Sequence, residues 1–152
     1  GQTDQALKFY QKAAAQAPDK EKIPMLKRTG EMQEKKGQLQ AAVETLTRAL
    51  EITRNGALFL QRGQLYDRLA QAVDHAQDEN YDVEGAIKRG VMTVESMERA
   101  IELREKALSD YRSAAADASL AATANRFIER SEIILQNNRV VISEINYQKS
   151  NE

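Results

Sequence analysis

LKRTGEMQEKKGQLQAAVETLTRA, residues 26–49, is the stretch whose reading decides the fold. Two runs rich in helix-forming residues flank Gly37, and each carries small residues where a packed neighbour would need room: Gly30 in the first, Ala42 and Ala49 around Leu46 in the second. The stretch therefore reads as a helical hairpin with a glycine-closed turn. The same punctuation occurs upstream in Ala6, Tyr10, Ala13 and Pro18. Ala6 and Ala42, Ala13 and Ala49, and Gly1 and Gly37 share one 36-residue offset. A fixed period of that length marks stacked supersecondary units.

A third unit begins downstream. Phe59, Arg62, Gly63 and Tyr66 occupy the places of Trp, Leu, Gly and Tyr in the pattern W-x2-L-G-x2-Y, and only Arg62 departs in chemical type. Leu26, Thr29, Gly30 and Gln33 fill those places in the second unit, where the glycine is kept and the aromatics are not. The following helix reads Ala6-x3-Tyr10 in one unit and Ala42-x3-Leu46 in the next. On these residues, over positions 1 to about 70, the chain resembles the tetratricopeptide repeat family. The positions have a physical reason: Gly30 and Gly63 let antiparallel helices approach closely, and alanines on the facing helix accept a bulky side chain into the gap. Gly1 falls at a turn inside a unit, so the chain is read as part of a larger repeat protein that starts within a repeat.

Composition points to an all-α chain. Two prolines, seven glycines, few aromatics and abundant Ala, Gln, Glu, Lys, Arg and Leu lie at the helix-forming end of the propensity scale. The absence of cysteine removes any disulfide framework or thiolate site and points to the cytoplasm, without excluding a periplasm. No apolar run approaches the ~20 residues that a membrane-spanning helix needs. Residues 1–77 carry 12 basic and 9 acidic side chains, the remainder 10 and 14, so neither half has the concentrated basic face of a nucleic-acid binder.

Helices are expected at about residues 3–16, 22–36, 39–53, 56–78, 85–118 and 121–149. Pro18 stops the first, Pro24 suits the first turn of the second, and Asn55-Gly56 closes the third. Residues 1–78 form the repeat region. Residues 79–152 form a long helical hairpin, either degenerate repeats or a C-terminal extension, with Gly90 as a weak point in its first helix. In the last helix Phe127, Ile134 and Val141 recur every seven residues, as do Ile128, Leu135 and Ile142. Such recurrence signals long helix pairing, within the chain as a hairpin or between chains as an oligomer seam through Phe127, Ile134, Leu135, Val141 and Ile142. Asn138 lies beside it and could set register.

Catalytic chemistry is not written in the sequence. His75 is the lone histidine and has no second His or Cys to complete a zinc set. Asp78, Asn80, Asp82 and Glu84 begin like a calcium loop, but the sixth position is Val83 instead of Gly and the twelfth is Arg89 instead of Glu. No phosphate-binding glycine loop, serine nucleophile elbow or HExxH occurs. With 30% charged residues, neighbouring carboxylates are expected by chance and none is singled out as a catalytic pair. The expectation is a non-catalytic protein with no cofactor and no metal.

What the resemblance implies is a surface. In such repeats the first helix of each pair lines a concave groove, which maps here to Lys27, Arg28, Glu31, Glu34 and Lys35 in the second unit and to Leu60, Gln61, Gln64, Asp67 and Arg68 in the third. Taken singly each is better explained as part of a solvated helix face, with Glu31 and Lys35 as an ion pair one turn apart. Taken together they imply a groove for a partner peptide or protein. Repeats that capture acidic carboxyl-terminal tails resemble one another in a clamp of Lys and Asn. Lys27 fits that clamp, but Glu31 stands where Asn is expected, so a mixed-charge or extended peptide is the better fit. The alternative function is an oligomerisation or signal-transmitting module that pairs through residues 85–149.

Overall fold

The structure, a computed structural model, describes residues 1–152, and all of its regular structure is helical. Seven helices follow one another: α1 (Gln2–Gln16), α2 (Asp19–Lys35), α3 (Leu39–Ile52), α4 (Gly56–Asp74), α5 (Val83–Lys88), α6 (Val94–Ala115) and α7 (Ala121–Ser150). Neighbours in sequence pack against each other from α1 to α4, then α4 packs on α6 and α6 on α7. The boundary expected at residue 78 thus falls between α4 and the helix it packs against most extensively.

The first core is built from the positions that the sequence marks. Leu26, Ala42, Val43, Leu46 and Ala49 are buried together with Ala14, Leu58 and Leu65. Leu26, Thr29, Gly30 and Gln33 are the buried residues of α2. A Cβ on Gly30 would lie 3.1 Å from a Leu46 methyl, so the glycine admits the leucine. At Gly63 the approach is closer: a Cβ would stand 2.7 Å from the Tyr111 ring of α6. Gln33 Oε1 accepts from buried Thr45 Oγ1 at 2.7 Å, and Lys36 donates to Asp4, tying the end of α2 to the start of α1.

Three boundaries differ from expectation. The helix expected from residue 22 begins at Asp19, directly after Pro18, which leaves Pro24 inside α2 instead of in its first turn. Proline cannot donate to the carbonyl of Lys20, a loss offset by the exposure of that residue to water. The helix expected to run to 78 stops at Asp74, because His75 takes the left-handed conformation (φ 50°). Side chains then satisfy the next amides: Ala76 N–H donates to Asp74 Oδ1 at 3.0 Å and Gln77 N–H to Gln71 Oε1 at 3.0 Å. The helix expected over 85–118 is two. α5 ends at Lys88, with Gly90 (φ 70°) just beyond its cap and the amides of Val91 and Met92 both donating to the carbonyl of Ala86, and α6 starts behind a reciprocal cap between Thr93 and Ser96.

The hairpin of α6 and α7 is intramolecular. Ile134 and Leu135 are buried, Phe127 stacks on Tyr111 with ring centres 5.0 Å apart, and Val141 and Ile142 pack on a second core of Ala86, Met92, Met97 and Ile145. Of the residues expected as an oligomer seam, Ile134 and Leu135 are thus buried inside the chain, and Phe127, Val141 and Ile142 pack within it while staying half-buried. No helix is long and apolar enough to cross a membrane.

Candidate partner-binding groove

α2, α4 and α7 run in the same direction on one side of the molecule. Glu34 of α2 accepts from Arg68 of α4 at 3.0 Å. Asp67 and Asp74 of α4 meet Arg130 and Asn138 of α7 at 3.5 and 2.9 Å, so both helices ascend together. With a rise of about 1.5 Å per residue, Lys27 lies level with Gln61, and Glu31 near Gln64. α4 sits in the middle and turns Leu60 and Gln61, both half-buried, and the exposed Gln64 and Arg68 outward between its neighbours.

Most of the expected groove residues are brought to this face. Lys27, Arg28 and Lys35 are exposed on α2, and Glu31 and Glu34 are half-buried. Glu31 pairs with Arg28 at 2.8 Å, one turn earlier, and not with Lys35 as expected. The hydrogen bond to Glu31 raises the Arg28 guanidinium above its ordinary value.

Asp67 is a correction. Only 5% exposed, it faces α6 and α7 instead of solvent and has no surface to offer a partner. It belongs to a buried network that the sequence does not announce. Arg104 of α6 is fully buried; it donates to both Asp74 oxygens at 2.9 Å, to Asp67 at 3.0 Å and to Gln71 at 3.2 Å. Tyr111 donates its hydroxyl to Asp67, and Asn138 donates to Asp74. Burial opposes the charge of Arg104, but the hydrogen bonds and charges of Asp74 and then Asp67 outweigh it and hold the guanidinium above its ordinary value. Burial, followed by the negative charge of Asp67, pushes the Tyr111 phenol far up. A second buried contact joins α4 to α6: Arg62 grips both oxygens of Asp110, at 2.8 and 2.7 Å, and reaches Thr47 of α3 at 3.1 Å. Burial raises the Asp110 carboxyl against the pull of Arg62.

These contacts fix α4 between α3 and α6, and so fix the outward strip of α4. Arg62 and Arg104 act on the groove only by positioning it. The place of Arg104 has a signal in the sequence, since it stands three residues after Ile101 and four before Leu108, on one helix face with both. Its charge argues against the core unless carboxylates on the facing helix are known.

Other singled-out residues have local roles. His75 stacks on Tyr81 with ring centres 3.9 Å apart. Asp82 caps α5 by accepting from the amide of Gly85 at 2.9 Å, and Asp78 accepts from the amide of Asn80 at 3.0 Å. On the outer face of α7, opposite its packed side, Ile133, Val140 and Tyr147 stand exposed at seven-residue spacing.

Comparison with protein-family models, curated proteins and solved structures finds no match for this chain.

Proposed function

We propose that this chain is a non-catalytic interaction module of the helical-repeat kind, resembling tetratricopeptide repeats, which holds an extended segment of a partner protein against α2 and α4 and so helps to assemble a larger complex. The observation that carries this reading is the ion pair between Glu34 and Arg68. It joins the outward faces of two helices separated in sequence by α3, so that Lys27, Gln61 and Gln64 belong to one surface. Supporting it, the repeat positions of α2 and the alanines of α3 are taken up by packing, which leaves the polar face of α2 free for recognition. Mixed charge on α2 suits a partner segment bearing both signs.

The test is affinity capture from native lysate with the chain beside a variant carrying Lys27→Ala, Gln61→Ala and Gln64→Ala. A partner retained by the first and lost by the second supports the groove. Equal recovery by both removes it.

One observation favours a second reading, self-association: the exposed stripe Ile133, Val140 and Tyr147, whose spacing is that of a helix-pairing seam. Under it, sedimentation would show a concentration-dependent dimer that Val140→Asp abolishes. A monomer at high concentration would rule it out.

A further inference from the structure

We infer that the exposed stripe of α7 is covered by α7 of a second copy of this chain, lying antiparallel to the first, with Ile133 level with Val140 of the second copy. The inference rests on the self-association reading above and adds the direction and register of the pair. It is independent of the groove.

Seven residues before Ile133 stands Arg126, also exposed, so the outer strip of α7 reads Arg126, Ile133, Val140, Tyr147. Residues seven apart on a helix share a face, and at about 1.5 Å per residue this strip is about 32 Å long. The residues that α7 buries, from Ala124 through Ser131, Leu135 and Asn138 to Ile145, lie on the opposite face and leave the strip open.

Direction follows from the two ends of the strip. A parallel pair would set each residue against its own copy, and so Arg126 against Arg126, two like charges in one seam. An antiparallel pair exchanges the ends. Ile133 and Val140 then meet twice across a two-fold axis, and each Arg126 comes level with Tyr147 of the second copy, where a guanidinium over the ring face is attracted. In this direction the strip is complementary to itself, which makes a second copy its fitting occupant.

The residues beside the strip suit the same register, because each flank of one antiparallel helix faces the same flank of the other. On one flank Arg130 comes within about 1.5 Å of the level of Glu144 of the second copy, and Asn137 lies beside the axis. On the other, Glu132 comes within about 3 Å of the level of Arg139 of the second copy, and Glu129 falls beside Ser143. Glu144 is exposed and accepts from Gln148 at 3.2 Å. Within the chain Arg130 reaches Asp67 only at 3.5 Å, and the exposed pairs Arg112 with Glu132 and Arg139 with Glu105 stand at 3.4 and 3.5 Å. Exposed pairs of that length hold their partners weakly, so these charges are free to turn toward a second copy.

The chain has no cysteine, so engineered thiols report contacts without background. Ile133→Cys and Val140→Cys are placed on separate copies; both sites are exposed, and matched helicity verifies the fold. Alongside sedimentation of the unaltered chain, each variant and their equimolar mixture are oxidised. Disulfide-linked dimer is expected from the mixture and at least tenfold less from either variant alone, because antiparallel pairing brings position 133 to position 140 and keeps each about 10 Å along the axis from its own copy, beyond disulfide reach. Linkage in each variant alone that mixing does not increase would show a parallel pair and overturn the inference, while self-association stood. A sedimenting dimer that none of these samples cross-links would place the interface off the stripe and also overturn it. A monomer at high concentration would remove both the inference and the self-association reading, with the capture test of the groove unaffected.

Discussion

Arg104 holds Asp67 and Asp74 where water does not reach, and its removal leaves two carboxylates without their main counter-charge. Breaking a buried ion pair from one side costs about 3–5 kcal/mol, far more than the pair's net worth against an apolar replacement. Arg104→Met should therefore lower the unfolding free energy by that order, read as a lower urea midpoint; an unchanged midpoint would mean that the carboxylates reach water. Tyr111 gives the network a pH signature. Its folded-state pKa is raised, so its contribution to stability is complete below the unfolded value of about 10 and is lost as pH rises above it. Tyr111→Phe should leave the native-state phenolate titration between about pH 9 and 11 unchanged. A reduction by one tyrosine's absorbance would show that Tyr111 ionises in the folded chain. The glycines and alanines of this packing are legible in the sequence because small residues recurring at helical spacing are what two closely approaching helices require. Arg104, Asp67 and Asp110 are not legible, because a charged residue is ordinarily placed in solvent unless its buried partner is known.

At the scale of the helices, close approach and periodicity decide. The gap at Gly63 is filled by Tyr111, so Gly63→Ala forces the ring or α6 to move and should cost about 1–3 kcal/mol, measured by chemical denaturation. A gain in stability would mean that the interface has slack. α7 offers an internal comparison: Ile134 is buried against its own chain and its neighbour Ile133 is 63% exposed. Ile134→Asp should unfold the hairpin or lower its melting temperature sharply, and Ile133→Asp should leave helicity unchanged; the reverse order would put α7 in the wrong rotation. The interiors of α1, α3 and α7 are legible because their patterns are long and sharply bounded. The end of α4 and the start of α6 are not. The first depends on a histidine in the left-handed conformation, and the second on Thr93 and Ser96, a short cap inside a region whose apolar spacing continues across it.

For the whole molecule, α3 and α6 form a backing on which α2, α4 and α7 are held in parallel, and half-buried Arg62 with buried Arg104 locks α4 in the middle. The outward strip of α4 is consequently the centre of the surface, with Gln64 exposed on it. Nine of the ten groove positions expected from the repeat pattern lie at least partly accessible; Asp67 does not, because α7 covers that side of α4, and nothing in the repeat pattern foretells α7. The most direct measurement is photocrosslinking in native lysate from a benzoylphenylalanine placed at position 64, beside the same probe at position 99 on α6. A discrete partner adduct from position 64 and none from position 99 is the predicted result. Adducts of equal yield from both, or from position 99 alone, would contradict the groove.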